Sequence, residues 1–202
     1  MSGAPQRERQ RMSIESFRAF CSMRPDEEQW QLIDGVAIMM TPPTVAHQRI
    51  AANLQLLLDR ALQQRAPTLT ALQRLGVNLA PSVEQYDPEP DVAVVDADAS
   101  EDPDRRYVDR FYLAAEIVSA SDRSWVEQKR EIYKLHQTCT CILVVQQDRV
   151  EVQVDRRIND RWIEQLLTAT DDVLAIDEFG LRCKLSDLYR GTALHPGRVA
   201  KG

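Results

Sequence analysis

The chain has 202 residues, enough for one domain with a sizeable core, and its 44% hydrophobic and 28% charged residues are typical of a globular protein. No apolar run reaches the roughly 18 residues that a membrane-spanning helix needs, so we expect no membrane segment. The formal net charge of −6 argues weakly against a nucleic-acid partner, because affinity for DNA depends largely on neutralising phosphates.

Clusters of basic residues can offset this acidic total locally. The sequence has such clusters at Arg105–Arg106, at Arg123, and at Lys129–Arg130 with Lys134. Arginines placed around a cluster of carboxylates would still attract an anionic ligand, so net charge alone excludes little.

The N-terminal segment and the cysteines indicate the cellular compartment of the protein. Residues 1–12 are polar and Arg-rich with no apolar stretch behind them, which excludes a secretory signal and predicts a loose leader. We therefore expect a cytoplasmic protein. The cysteines include no C-x-x-C pair and do not suggest a disulfide framework in a chain of this length. Free and mostly buried thiols are predicted at Cys21, Cys139, Cys141 and Cys183.

Capping and turn residues predict the first elements. Ser13 is an N-cap candidate for a short helix with apolar residues at helical spacing. Residues 29–40 predict a β-hairpin, because the Asp34–Gly35 pair tolerates the positive φ angles of a two-residue turn. Thr44 is the N-cap candidate of a long amphipathic helix over residues 45–64.

Short apolar runs predict strands through the rest of the chain. The predicted strands cover about residues 70–79, 92–95, 111–118, 142–145, 150–154, 162–167 and 173–176. Helices are predicted from Ser121 or Ser124 to about His136, and over Leu185–Tyr189.

This mixture of elements predicts an α/β (α+β) fold, in which helices flank a mixed central sheet that carries additional antiparallel strands. We expect a single domain over residues 13–190 and a loose tail over residues 191–202.

Two acidic residues lie beside apolar strands. Asp91 opens one predicted strand after two prolines, and Glu116 lies within another apolar run. A buried carboxylate needs a cation, a metal or a proton, and two on neighbouring strand ends could bind a hard ion such as Mg²⁺. Turn chemistry explains Asp91 equally well, and Glu116 could face solvent or pair with an arginine. We interpret Asp87 and Glu89 as a solvated acidic turn.

Other residues have simple interpretations beside functional ones. His47 begins the long predicted helix, where a lone histidine usually makes a local hydrogen bond but could bind phosphate or metal. Lys129, taken alone, could equally be an ordinary solvated helix lysine or a site residue. The large apolar side chains near these motifs are interpreted as core residues rather than as platforms for base stacking: Trp30, Met39, Met40, Trp125 and Tyr133.

The order of the candidate residues resembles the PD-(D/E)XK nuclease core. Pro90–Asp91 is followed about 25 residues later by Glu116–Val118 and then by a predicted helix with Lys129. Val118 occupies the position where that core has its Lys. The Uma family of restriction-endonuclease-like proteins, which takes its Lys from the following helix, resembles the chain over residues 12–190. Five segments in the right order carry this resemblance: Trp30–Gly35, Pro42–Ile50, Glu89–Val92, Ala115–Ser121 and Lys129–Tyr133.

The resemblance implies a metal-dependent endonuclease that hydrolyses phosphodiester bonds in DNA. It implies Mg²⁺ or Mn²⁺ held by Asp91 and Glu116 with the Ile117 carbonyl, and Lys129 beside the nucleophilic water. His47 gains a site role from the same resemblance. A homodimer is expected, because duplex DNA has near-twofold symmetry and closed twofold dimers are common.

Three alternatives stay open. The first is a degenerate nuclease fold that binds a partner or nucleic acid without cleavage, favoured by Gln31 where the family has Glu, and by Val118. Further departures are Ala120, where the family has Pro, and Thr140–Cys141, where it has Glu-Tyr. The second is a metal-dependent enzyme acting on a small acidic substrate. The third is a protein-interaction domain in which an arginine pairs with Glu116.

Overall fold

The structure is a computed structural model that describes residues 11–25, 27–79, 83–118 and 123–197. Most of the expected leader, the candidate helix start at Ser121 and the end of the expected tail lie outside these residues.

Four α-helices and two short 3₁₀ helices are formed. The α-helices are α1 (Ile14–Cys21), α2 (Val45–Arg65), α3 (Arg123–Leu135) and α4 (Leu185–Leu188), and the 3₁₀ helices span Ala97–Glu101 and Asp177–Phe179. Twelve strands accompany them among the described residues. They are β1 (Trp30–Ile33), β2 (Val36–Met39), β3 (Leu69–Leu72), β4 (Gly76–Val77), β5 (Val92–Asp96), β6 (Tyr107–Val108), β7 (Phe111–Val118), β8 (Cys141–Gln146), β9 (Val152–Ile158), β10 (Arg161–Leu167), β11 (Val173–Ile176) and β12 (Leu181–Lys184).

Six strands form a central sheet in the order β10-β9-β8-β7-β5-β3. The β7–β8 pair is parallel and the other pairs are antiparallel, so the sheet is mixed, and helices pack on it. The predicted fold class is therefore confirmed. Three two-stranded sheets, β1–β2, β11–β12 and β4–β6, lie outside the central one.

The two faces of the sheet bury separate apolar clusters because side chains alternate along each strand. On β7, Leu113 and Ala115 belong to the cluster that includes α2, whereas Ala114 packs in the cluster that includes residues of α3. Glu116 follows the alternation of Ala114 and lies on the α3 side. The sheet thus presents the Glu116 carboxylate to the helix that carries Lys129.

The predicted N-terminal caps and hairpin are confirmed. The Ser13 hydroxyl accepts a hydrogen bond from Ser16 N–H at 3.2 Å, and the Thr44 hydroxyl accepts one from His47 N–H at 3.1 Å. Asp34 and Gly35 have φ angles of 50° and 73°, as a tight hairpin turn requires.

The strand predicted over residues 70–79 is wrong. The chain turns at Arg74, whose φ angle of 56° ends β3, and residues 76–77 then pair with β6 in a different sheet. The single predicted strand therefore corresponds to two short strands, β3 and β4, which belong to different sheets. The sequence also gave no prediction of β6 or β12.

Candidate active site

Strands β5 and β7 are neighbours in the central sheet and bring Asp91 beside Glu116. Val92 pairs with Ala115, so the antiparallel register continued by one residue sets Asp91 opposite Glu116. The Ile117 backbone N–H donates to the Asp91 carboxylate at 2.7 Å. That hydrogen bond fixes the Asp91 side chain against the edge of β7.

Glu116 is 5% exposed and has two side-chain partners from α3. Lys129 Nζ lies 2.6 Å from its carboxylate, and the Tyr133 hydroxyl donates to it at 2.7 Å. Burial raises the pKa of Glu116 to about 7, although the Lys129 ammonium acts in the opposite direction. The alternative in which an arginine pairs with Glu116 does not occur among the described residues, because Lys129 is the cationic partner.

Lys129 is 3% exposed and is therefore not a solvated helix lysine. Lys129 and Tyr133 are four residues apart on α3, so both side chains lie on the helix face that covers Glu116. The Lys129 amine also lies 3.4 Å from the Glu89 carbonyl oxygen, to which it donates. The amine is consequently held between β7 and the segment that leads into β5.

His47 lies in the first turn of α2, and its Nε2 is 3.2 Å from the Asp91 carboxylate. Its Nδ1 is buried and has no hydrogen-bond partner within the described part of the chain. Because Nε2 is directed at Asp91, Nδ1 is the ring nitrogen that remains for a further hydrogen bond.

Asp91, Glu116, Lys129 and His47 all line one cavity of about 890 Å³. The structure thus brings together the four residues that the sequence singled out. Trp125 and Met39 also line the cavity and are 39% and 54% exposed, so the interpretation of these two side chains as core is wrong.

The oxygen atoms of the cavity are candidate ligands for a divalent ion. No group of three or more His, Cys, Asp or Glu side chains with metal-binding geometry occurs in the described ranges. Mg²⁺ often uses one or two carboxylates and keeps several waters, so the pair Asp91 and Glu116 suits it. Gln31 lines the same cavity, and its buried Oε1 has no hydrogen-bond partner among the described residues, so it is a candidate third oxygen ligand. The oxygen-rich set therefore fits Mg²⁺ or Mn²⁺.

The acidic turn before β5 was misinterpreted. Asp87 is 1% exposed, and the Arg18 guanidinium donates to both of its oxygens at 3.0 and 3.1 Å. Burial raises the pKa of Glu89, and the nearby Arg74 and Lys129 oppose that shift. The interpretation of Asp87 as part of a solvated turn is therefore wrong. Its partner Arg18 lies 69 residues away in the sequence, so the residues around Asp87 do not indicate this contact.

A model of the family described as "Uma2: Putative restriction endonuclease" matches residues 14–186. The chain belongs to the Uma2 family. The resemblance found in the sequence is therefore confirmed, and the Uma2 match covers nearly every described element from α1 to α4.

Solved structures contain the same fold. One of them is described as a "putative nuclease belonging to DUF820 from Anabaena variabilis ATCC 29413" and superposes with a TM-score of 0.68. It is 16% identical to this Uma2 chain, and the match covers 88% of this chain and 97% of that one. At this identity the likeness establishes the fold. No curated protein matches the chain.

None of the helices formed by the described residues combines the length and the apolar character needed to cross a membrane.

Proposed function

We propose that this Uma2 protein is a metal-dependent endonuclease that hydrolyses phosphodiester bonds in DNA. The observation that carries the proposal is the convergence of Asp91, Glu116 and Lys129 in one cavity, with His47 on Asp91. Two carboxylates beside a buried amine are the components that phosphodiester hydrolysis requires: ligands for a divalent ion and a fixed cation near the phosphate.

Asp91 and Glu116, with the Ile117 backbone carbonyl, would hold Mg²⁺ or Mn²⁺, and Gln31, which lines the same cavity, could contribute its amide oxygen. A divalent ion bound there supplies polarisation of the scissile phosphate and stabilisation of the leaving oxygen.

The protein side chains have separate roles around that centre. Lys129 supplies an amine that can donate to the attacking water and offset negative charge as it develops on the phosphate. Tyr133 holds the Glu116 carboxylate from its other side. His47 orients Asp91 through Nε2, and its Nδ1, which has no partner among the residues that the structure describes, is left to form a hydrogen bond with the substrate or with water.

The test is cleavage of plasmid, single-stranded and branched DNA in Mg²⁺ or Mn²⁺, together with calorimetry of Mn²⁺ binding. We expect Asp91→Asn and Glu116→Gln to lose cleavage and to weaken Mn²⁺ binding. Glu131→Gln is the matched control, because Glu131 is an exposed carboxylate on α3, the helix of Lys129. Absence both of cleavage by the wild type on every substrate and of Mn²⁺ binding would contradict the proposal.

A second candidate function is binding of nucleic acid without cleavage. It is favoured by the contacts of Glu116, whose carboxylate is already shared by Lys129 and Tyr133, and by the amide of Gln31 in place of a third carboxylate. DNA binding by the wild type without cleavage in either metal would select this function over the first.

We also propose that the protein is a cytoplasmic homodimer. Cys139, Cys141 and Cys183 are buried free thiols, which suits a reducing compartment. Sedimentation at the monomer mass of 23.0 kDa would contradict the dimer.

A further inference from the structure

A second, smaller cavity of about 270 Å³ adjoins the catalytic one. Arg74 lines both cavities, so the two meet at its side chain. Three further arginines line the smaller cavity, which we call the arginine cavity: Arg24, Arg105 and Arg106.

The short sheet β4–β6 brings two of these arginines together. Its strands are parallel, with Gly76 paired to Tyr107, so the residues preceding both strands emerge at the same end. The Gly76 N–H donates to the Arg106 carbonyl at 3.0 Å. A Cβ on Gly76 would lie 2.3 Å from the Tyr107 ring, so glycine is needed for this close approach. Arg74 and Arg106 are therefore neighbours because the backbone is fixed there.

The arginine cavity has an excess of positive charge in a protein whose net charge is −6. Two carboxylates, Glu28 and Glu89, line it beside four arginines. Glu28 already accepts a hydrogen bond from the Trp30 indole at 2.9 Å. Within the described ranges, neither Arg74 nor Arg106 has a carboxylate at ion-pair distance. Their guanidinium groups are exposed and can take an anionic ligand.

Arg74 also adopts a backbone conformation that L-residues rarely use. Its φ angle is 56°, in the left-handed region where glycine and asparagine are the usual residues. Strained positions of this kind cluster at ligand sites because the fold holds them in place. Arg74 combines this strained backbone with a cationic side chain that lines both cavities.

We propose that the arginine cavity binds a backbone phosphate of the nucleic-acid strand being cut, next to the scissile one, with Arg74 and Arg106 as its main ligands. The inference rests on the proposed nuclease function and adds a binding site to it. A guanidinium presents paired donors that match two phosphate oxygens, so two arginines can hold one phosphate through several charge-assisted hydrogen bonds. The nucleic-acid strand would then run from the arginine cavity past Arg74 to Asp91 and Glu116.

The test uses the double variant Arg74→Gln/Arg106→Gln. Binding of a short single-stranded oligodeoxynucleotide is measured by fluorescence anisotropy in EDTA, between about 50 and 200 mM salt. The control is Arg60→Gln/Arg182→Gln, which removes the same charge from exposed residues that line neither cavity. Cleavage kinetics in Mg²⁺ follow for all three proteins.

We expect the double variant to bind the oligonucleotide about tenfold more weakly at the lowest salt concentration. The slope of log binding constant against log salt concentration should be smaller in magnitude by about 0.7 to 1.4, which corresponds to the loss of one or two phosphate contacts. The KM of the double variant should rise while kcat stays within about twofold, because the reacting groups are intact. If the wild type cuts DNA but the double variant has the same salt slope and KM as the control, the proposed phosphate site is wrong. The proposed nuclease function would be unaffected by that result. A wild type that neither binds nor cuts would overturn both.

Discussion

Replacing Asp155 by Asn should destabilise the fold by breaking the contact that ties α3 to the sheet. Arg130 of α3 is 7% exposed, and Asp155 of β9 is 1% exposed. The guanidinium donates to both carboxylate oxygens, Nη2 to Oδ1 at 2.9 Å and Nε to Oδ2. Asparagine keeps the volume of the side chain and removes its charge, so packing is nearly unchanged.

The expected loss follows from the burial of this pair. Two unit charges about 4 Å apart interact by about 4 kcal/mol at an effective dielectric constant of about 20. Removing one partner of a buried pair typically costs about 3–5 kcal/mol, because the other charge stays buried. Glu164 lies 2.5 Å from Arg130 Nη2 but is 56% exposed, so it recovers at most about 1 kcal/mol. The free energy of unfolding should therefore fall by about 2–4 kcal/mol.

Urea unfolding at neutral pH measures this loss as a lower midpoint at unchanged slope. Glu164→Gln is the control and should cost less than about 1 kcal/mol, because that carboxylate is exposed. The double variant Arg130→Met/Asp155→Leu should recover most of the stability that Asp155→Asn loses, because neither member of the pair is then left as a buried charge without its partner. A value for Asp155→Asn within about 1 kcal/mol of wild type would refute a buried, energetically coupled pair.

Three further predictions concern the site, the last helix and a buried histidine. Lys129→Met should lower kcat by on the order of 10²–10³, measured by plasmid cleavage, because it removes the amine beside the carboxylates. Tyr189→Phe should cost about 1–3 kcal/mol in urea unfolding, because the hydroxyl donates to the Gln146 carbonyl at 2.9 Å and accepts from the Glu151 backbone N–H at 3.2 Å. Burial lowers the pKa of His136, so the folded state binds fewer protons there than the unfolded chain. The contribution of His136 to stability should consequently fall as pH drops through the ordinary histidine pKa of about 6.5, whereas the raised pKa of Glu116 acts in the opposite direction in both proteins. The difference in stability between wild type and His136→Gln, measured by urea titrations at several pH values, should therefore shift in favour of the variant as pH falls.

The features that the sequence predicted correctly depend on local chemistry. A capping hydroxyl at Ser13 or Thr44 binds a backbone N–H three residues ahead, and the Asp34–Gly35 turn needs only its own φ angles. The buried strands β5 and β7 consist mainly of apolar residues. Each of these signals is complete within a few residues, so no tertiary information was needed.

The features that were missed depend on tertiary contacts. Nothing local marks Arg74 as the residue that turns the chain out of the central sheet, because arginine is not a usual turn residue at positive φ. The Arg18–Asp87 pair joins α1 to the segment before β5 across 69 residues. The site had a mixed outcome: its four candidate residues were named from the sequence, but the hydrogen bond of Tyr133 to Glu116 was not foreseen.

The departure at Val118 has a physical explanation in the packing of α3. Glu116 and Val118 are two residues apart on β7 and share the face that α3 covers. Val118 is 2% exposed and packs with Val126 of α3 and with Val144 of β8. A lysine in its place would have to bury an amine in this apolar cluster. Lys129 lies about one turn beyond Val126, so the helix that seals the cluster also delivers the amine to Glu116. Val118 stays buried only while α3 is docked on the sheet, so the Arg130–Asp155 contact, which ties α3 to β9, supports the arrangement of the site as well as the stability of the fold.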